Sequence, residues 1–185
     1  MKQFVDLATV GGDAGREDTQ GCWQVWVAER LSDCTLLDVG AGLNGSKTRM
    51  AINNISVFTQ DPGPGLPVDI PQDISEIPSK SYDVVTAFDV IEHVPEVETF
   101  IGHLIRVAKH SLYLTTPNPL HTLNTHIYHY KEYLPSELVA MFEAQGAAFK
   151  SGWMMFPNPK GIHEASRSEF LADLYCYNYC AGFDV

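Results

Sequence analysis

The sequence predicts an α/β fold: a three-layer sandwich with a mostly parallel, roughly seven-stranded sheet covered by helices on both faces. Three observations carry this prediction. Strand-like and helix-like stretches alternate along the chain. The runs Thr35 to Val39 and Tyr82 to Phe88 are nearly continuous in apolar residues, as strands buried on both faces are. At 185 residues the chain is long enough for one sizeable core and too short for a second domain of ordinary size.

In chain order, Trp23, Val27 and Leu31, with Trp26 and Arg30 beside them, have helical spacing and predict a helix over Thr19 to Leu31. It leads into the strand Thr35 to Val39 and a glycine turn. The short segment Ser46 to Ile52 follows, then a strand over Ile55 to Thr59, stopped by Gln60-Asp61-Pro62-Gly63. Val68 to Ile70 predicts a further short strand, and Tyr82 to Phe88 the next full one. Val97, Phe100, Ile101, Leu104, Ile105 and Ala108 trace one face of a helix over Pro95 to Lys109, before a strand over Ser111 to Thr115. Pro135-Ser136-Glu137 opens a helix with Leu138, Met141 and Phe142 on its apolar face, and Gly146 closes it. Phe149 to Phe156 predicts another strand, and Ser166 to Tyr175 a last helix. The chain divides as one domain, 1–185, with an N-terminal segment 1–18, a core 19–156 and a C-terminal extension 157–185.

Composition narrows the partners. Twenty-three acidic residues against 12 basic ones give a formal charge of −11, which opposes tight binding to a phosphate backbone, so nucleic acid is an unlikely partner. No apolar run approaches the ~20 residues of a membrane span. Asp6 and Asp13 interrupt any apolar region behind Met1-Lys2-Gln3-Phe4, so the expectation is a cytoplasmic protein without signal peptide. Cys22, Cys34, Cys176 and Cys180 match neither a zinc pattern nor a disulfide framework and read as free buried thiols. Oligomeric state is not legible.

The chemistry begins at Thr35-Leu36-Leu37-Asp38-Val39-Gly40-Ala41-Gly42-Leu43-Asn44-Gly45. Gly40-x-Gly42-x-x-Gly45 fits the dinucleotide fingerprint, whose glycines allow a tight turn and close backbone approach. Asp38, two residues before the first glycine, would repel a pyrophosphate and suits a cationic ligand instead. Three further runs follow in order: Asp61 about twenty residues beyond the turn, Asp73-Ile74-Ser75-Glu76-Ile77-Pro78 leading into Tyr82-Asp83-Val84-Val85, and Phe88-Asp89-Val90-Ile91-Glu92-His93-Val94-Pro95. Leu114-Thr115-Thr116-Pro117-Asn118 closes the fifth strand in a similar way.

Together these runs, over about Thr19 to Phe156, resemble the class I, Rossmann-like S-adenosylmethionine-dependent methyltransferases. The resemblance implies S-adenosyl-L-methionine as cofactor and S-adenosyl-L-homocysteine as product. It places Asp38, Gly40, Ala41 and Gly42 around the amino-acid end of the cofactor, Asp61 on the ribose hydroxyls, Asp73 on the adenine amino group and Ile74 against the ring. Phe88 and Asp89 would stand beside the transferable methyl group. Asp69 is a competing candidate for the ribose. The interval from Asp61 to Asp73 is too short for the helix many members carry there and is filled with prolines and glycines.

Methyl transfer from a sulfonium needs an acceptor held in line and, where the acceptor is protic, a base. Glu92, His93 and His129 are the candidate catalytic residues, a histidine being a suitable base near neutral pH. The segment His121 to Tyr133 holds three of the chain's seven histidines, and from it His126, Tyr128 and Tyr130 are the candidate contacts for a small-molecule acceptor. A metal is not required. The alternative reading takes Asp89, Glu92, His93 and His129 as ligands of a divalent ion, similar to the acid-x-x-Glu-His motif of ubiquinone-biosynthesis O-methyltransferases and small-RNA 2′-O-methyltransferases, with Asp89 in place of the usual Glu. Asp89-Val90-Ile91-Glu92 lacks the two prolines and aromatic residue typical of enzymes that methylate exocyclic base amines or glutamine amides, and no cysteine stands where a cytosine C5 methyltransferase needs its nucleophile. The expected function is transfer of a methyl group to an O or N atom of a small molecule. The competing functions are a noncatalytic adenosylmethionine-binding subunit, a NAD-dependent oxidoreductase and a metal-assisted RNA 2′-O-methyltransferase.

Overall fold

The computed structural model describes residues 5–6, 16–43, 45–157 and 160–185. Most of the N-terminal segment 1–18, Asn44 of the glycine turn and residues 158–159 lie outside the described residues.

The strands are β1 (Val5–Asp6), β2 (Thr35–Val39), β3 (Ser56–Gln60), β4 (Tyr82–Phe88), β5 (Ala108–Pro117), β6 (Ala148–Pro157), β7 (Lys160–Ala165) and β8 (Asn178–Asp184). The helices are α1 (Arg16–Ala28), α2 (Ser46–Met50), α3 (Val97–Val107), α4 (Pro119–Thr122), α5 (Pro135–Ala144) and α6 (Arg167–Phe170). One eight-stranded sheet runs in the order β1-β7-β6-β8-β5-β4-β2-β3. β2 pairs parallel with both β3 and β4, and β4 with β5. β8 inserts antiparallel between β5 and β6, and β7 and β1 extend the edge beyond β6 by antiparallel pairing.

Successive side chains of a strand point to opposite faces, and the core divides accordingly. Leu36, Val84, Phe88 and Tyr113 pack with Trp23, Trp26, Val27 and Met50 of α1 and α2. Leu37, Val85, Ala87, Leu112 and Leu114 pack on the other face with Ile101 and Leu104 of α3 and Leu138 and Phe142 of α5. Near-continuous apolar strands with helices on both faces are what the sequence predicts. Parallel β2 to β5 is the part that matches a parallel sheet; the β6, β7 and β8 side is antiparallel and makes the sheet mixed.

Three expectations are corrected. Val68 to Ile70 forms no strand but a single bridge between Ile70 and Gln60, because Pro62, Pro64, Pro67 and Pro71 remove ladder donors around it. The helix expected over Ser166 to Tyr175 is one turn, Arg167–Phe170, capped by Ser166 and Glu169. The residues beyond 156 supply β7 and β8, and β8 is an interior strand whose ladder to β5 runs from Ser111↔Asp184 to Pro117↔Asn178. Short-range patterning misses it because its neighbours in the sheet lie far away in sequence.

Candidate functional site

The parallel strands β2 to β5 end at one rim, where an open α/β sheet places its ligands. Gly40 (φ +67°) follows β2, and a Cβ there would stand 2.6 Å from Val90 Cγ2, so the turn accepts no side chain. The turn is tied to the end of β3: Ala41 N donates to Gln60 O at 3.0 Å and Gly42 N to Asp61 Oδ2 at 3.0 Å. Asp61 Oδ1 accepts from Gly63 N at 2.8 Å, so each carboxylate oxygen holds one backbone donor and keeps capacity for another. Asp69 instead accepts from Thr59 N at 2.9 Å and is ion-paired to Lys47.

Asp38 is fully buried, with Oδ1 accepting from Thr86 Oγ1 at 2.7 Å. Burial pushes its carboxyl up to about 6, against the nearby hydroxyls of Ser46 and Thr86 that favour the charge. The acid lies beneath the turn.

Two clefts open on the rim. One, of about 360 Å³, is lined by Gly40, Asp61, Asp73, Ile74, His93 and Phe100 among others. Its outer wall is the turn Ile74–Glu76, N-capped by Asp73, whose Oδ1 accepts from Ser75 N at 2.9 Å. The Ser75 hydroxyl, and then that backbone bond, hold Asp73 below the usual carboxylate range. Arg106 of α3 clamps the wall from behind, donating to the carbonyls of Ile74 (2.9 Å) and Ile77. The second cleft, about 330 Å³, is lined by Thr19, Pro117, His121, Thr122, Thr125, His126, His129, Tyr177 and Asn178. Asp89 lines both. It is buried at φ +53°, and its Oδ1 accepts from Thr115 Oγ1 and from Asn178 Nδ2, each at 2.9 Å.

The candidates of the segment after β5 separate. His126 and His129 face the second cleft with their rings stacked 4.0 Å apart. His129 Nδ1 bonds Glu132 Oε1 at 2.5 Å, and Thr122 donates to the other Glu132 oxygen. Burial lowers the His129 pKa, Glu132 opposes the shift, and His126 and His93 add to it. The rings of Tyr128 and Tyr130 are 71% and 70% exposed and line neither cleft. The Tyr128 ring lies 5.8 Å from that of His126, and both backbones contribute: Tyr128 O bonds His93 Nδ1 at 3.0 Å, and Tyr130 N donates to Glu92 O at 2.8 Å. Glu92 is buried, its Oε2 accepting from Thr116 Oγ1 at 3.0 Å. Phe88 packs into the core under α1, outside both clefts. Glu92, His93 and His129 offer ligand atoms within 4.8 Å of one another, a grouping that could hold a metal ion; Asp89 is not part of it.

Asn178, Tyr177, Glu132, Arg106 and Thr19 escape sequence reading. Only Asn178 and Tyr177 had a signal at all, as polar or aromatic residues between Cys176 and Cys180 in a largely apolar run.

No protein-family model matches the chain. A ubiquinone biosynthesis O-methyltransferase of Paramagnetospirillum magneticum is 28% identical over 162 residues, covering 76% of this chain and 57% of the relative. The chain thus spans a little over half the length of that relative. Among solved structures, a SAM-dependent methyltransferase from Archaeoglobus fulgidus superposes with a TM-score of 0.70 at 16% identity, covering 92% of this chain and 95% of that one. Magnesium protoporphyrin IX methyltransferase from Synechocystis with bound S-adenosylhomocysteine gives a TM-score of 0.64 at 16% identity, with 96% and 91% covered. The chain thus has the Rossmann-like fold of the class I S-adenosylmethionine-dependent methyltransferases.

Proposed function

We propose that the chain binds S-adenosylmethionine across the two clefts and transfers its methyl group to an oxygen or nitrogen atom of a small-molecule acceptor, releasing S-adenosylhomocysteine. The observation that carries the reading is the pair of clefts meeting at Asp89 on the rim of β2 to β5. The first has the groups a nucleoside needs: the two Asp61 oxygens for vicinal ribose hydroxyls, the apolar Ile74 for the adenine face and the Asp73 carboxylate for its amino group. The second suits a compact acceptor. There the new bond forms in line as the carbon–sulfur bond breaks, so positioning supplies most of the rate. A protic acceptor passes its proton to the ring nitrogen of His129 opposite the one engaged by Glu132; the lowered pKa keeps that imidazole neutral and able to accept. The charge of −11 opposes a nucleic-acid acceptor.

Thermal shift with S-adenosylmethionine, S-adenosylhomocysteine and NAD tests the cofactor. A ligand at a hundred times its Kd stabilises by about 2.7 kcal/mol. Stabilisation by NAD alone would sink the proposal, and cofactor binding without turnover on O- and N-acceptor panels favours a noncatalytic subunit.

A second reading has support of its own. The Nδ1 atoms of His93 and His129 are engaged by Tyr128 O and Glu132, as the outer nitrogens of metal-bound histidines usually are. Glu92, His93 and His129 would hold a divalent ion, which would act as a Lewis acid toward an acceptor hydroxyl. Magnesium, manganese and zinc titrations followed by melting temperature decide it; a melting temperature unmoved by all three and by EDTA rejects the ion.

A further inference from the structure

Asp38 is the acid the sequence offers to a cationic ligand, yet it borders neither cleft, and the acid at their junction is Asp89. Its carboxylate is fixed by a chain of buried groups drawn from three elements. Trp23 Nε1 of α1, which can only donate, bonds Asn178 Oδ1 at 2.9 Å. That sets the Asn178 amide so that Nδ2 faces Asp89 Oδ1, where Thr115 of β5 adds a second donor. Trp23, Asn178 and Thr115 are each at most 2% exposed. One Asp89 oxygen is thus committed to the protein, while Oδ2 has no partner among the described residues. A buried hydrogen-bonded network of this kind holds a group in one orientation.

We infer that Asp89 is the residue that distinguishes the charged cofactor from its neutral product, with Trp23, Asn178 and Thr115 as positioning residues. The inference rests on the cofactor reading above. A methyl group passing from the first cleft to the second has its sulfur at their junction, and Asp89 is the one residue among the described ones that lines both. A fixed carboxylate there attracts the sulfonium of S-adenosylmethionine and has no charge to attract in the thioether left after transfer. Methyl transfer would then itself weaken the hold on the cofactor and favour product release.

Calorimetric titration of the whole chain with S-adenosylmethionine, S-adenosylhomocysteine and sinefungin, whose amine-bearing carbon replaces the sulfonium, tests this without knowledge of the acceptor. Asp89→Asn suits the left-handed backbone, which asparagine tolerates well. It is expected to weaken both cationic ligands on the order of tenfold, the size of one charge-assisted contact, and to leave S-adenosylhomocysteine within about twofold. Thr115→Val, which removes one donor without opening a cavity, and Trp23→Phe are expected to move the same ratio in the same direction by less. Equal weakening of all three ligands by Asp89→Asn, or no change in any, overturns the inference while leaving the cofactor reading intact. Failure of all three to bind the unaltered chain overturns both.

Discussion

Replacing Asp38 by asparagine isolates the cost of a carboxylate buried under the glycine turn. In the folded chain this group titrates at about 6, against 3.8 for an ordinary aspartate, because burial disfavours its charge more than Ser46 and Thr86 restore it. An acid whose folded value is raised takes up a proton on folding between these two values. Stability from this group is therefore fully present below pH ~4 and is lost as the pH rises through ~6. The loss amounts to about 3 kcal/mol at neutral pH. Asparagine keeps an acceptor for Thr86 Oγ1 and carries no charge, so it recovers that energy. For a domain of this size the gain corresponds to a melting temperature raised by roughly 6 to 12 °C at pH 8. Melting curves of both proteins from pH 4 to 8 are the assay, with the difference shrinking toward zero at the acid end. A variant less stable than the parent at pH 8, or a difference independent of pH, refutes the reasoning.

Gly40→Ala forces a Cβ against Val90 at a positive φ and is expected to cost about 1–3 kcal/mol in denaturant unfolding and to lower cofactor affinity as the turn shifts. Arg106→Ala releases the carbonyls of Ile74 and Ile77, so the wall of the first cleft loosens. Its signature is a roughly tenfold rise in the Kd of S-adenosylhomocysteine with a smaller effect on adenosine-free ligands of the second cleft, and equal affinity in the two proteins would contradict it. Glu132→Gln removes the partner that raises the His129 pKa, so that value falls further. An NMR titration of the His129 ring is expected to show a lower midpoint than in the parent, and a higher one would reverse the assigned sign.

Much of the lining of the first cleft was legible because its features are local. The turn Gly40 to Gly42 and Asp61 sit within three residues of the ends of β2 and β3, and strand ends can be read from apolar runs and their stops, while the Asp73-Ile74 cap is read from its own short motif. Phe88 shows the limit of that reading: its neighbours along the chain place it beside the rim, but strand alternation turns its ring into the core. Tyr128 and Tyr130 fail in the same way, since a loop sequence states which side chains are available and not which of them face inward.

The sequence by itself determined the α/β class, the run of parallel strands and the order of the acids along their ends, because period, turn chemistry and spacing are short-range properties of a chain. Only the tertiary structure decided that Asp38 lies beneath the turn while Asp89 stands at the junction of two clefts, and that Asn178, from a strand inserted beside β5, orients it. The physical reason is separation: Trp23, Asp89, Thr115 and Asn178 span 155 residues of sequence, and hydrogen bonds join them only after the sheet has closed.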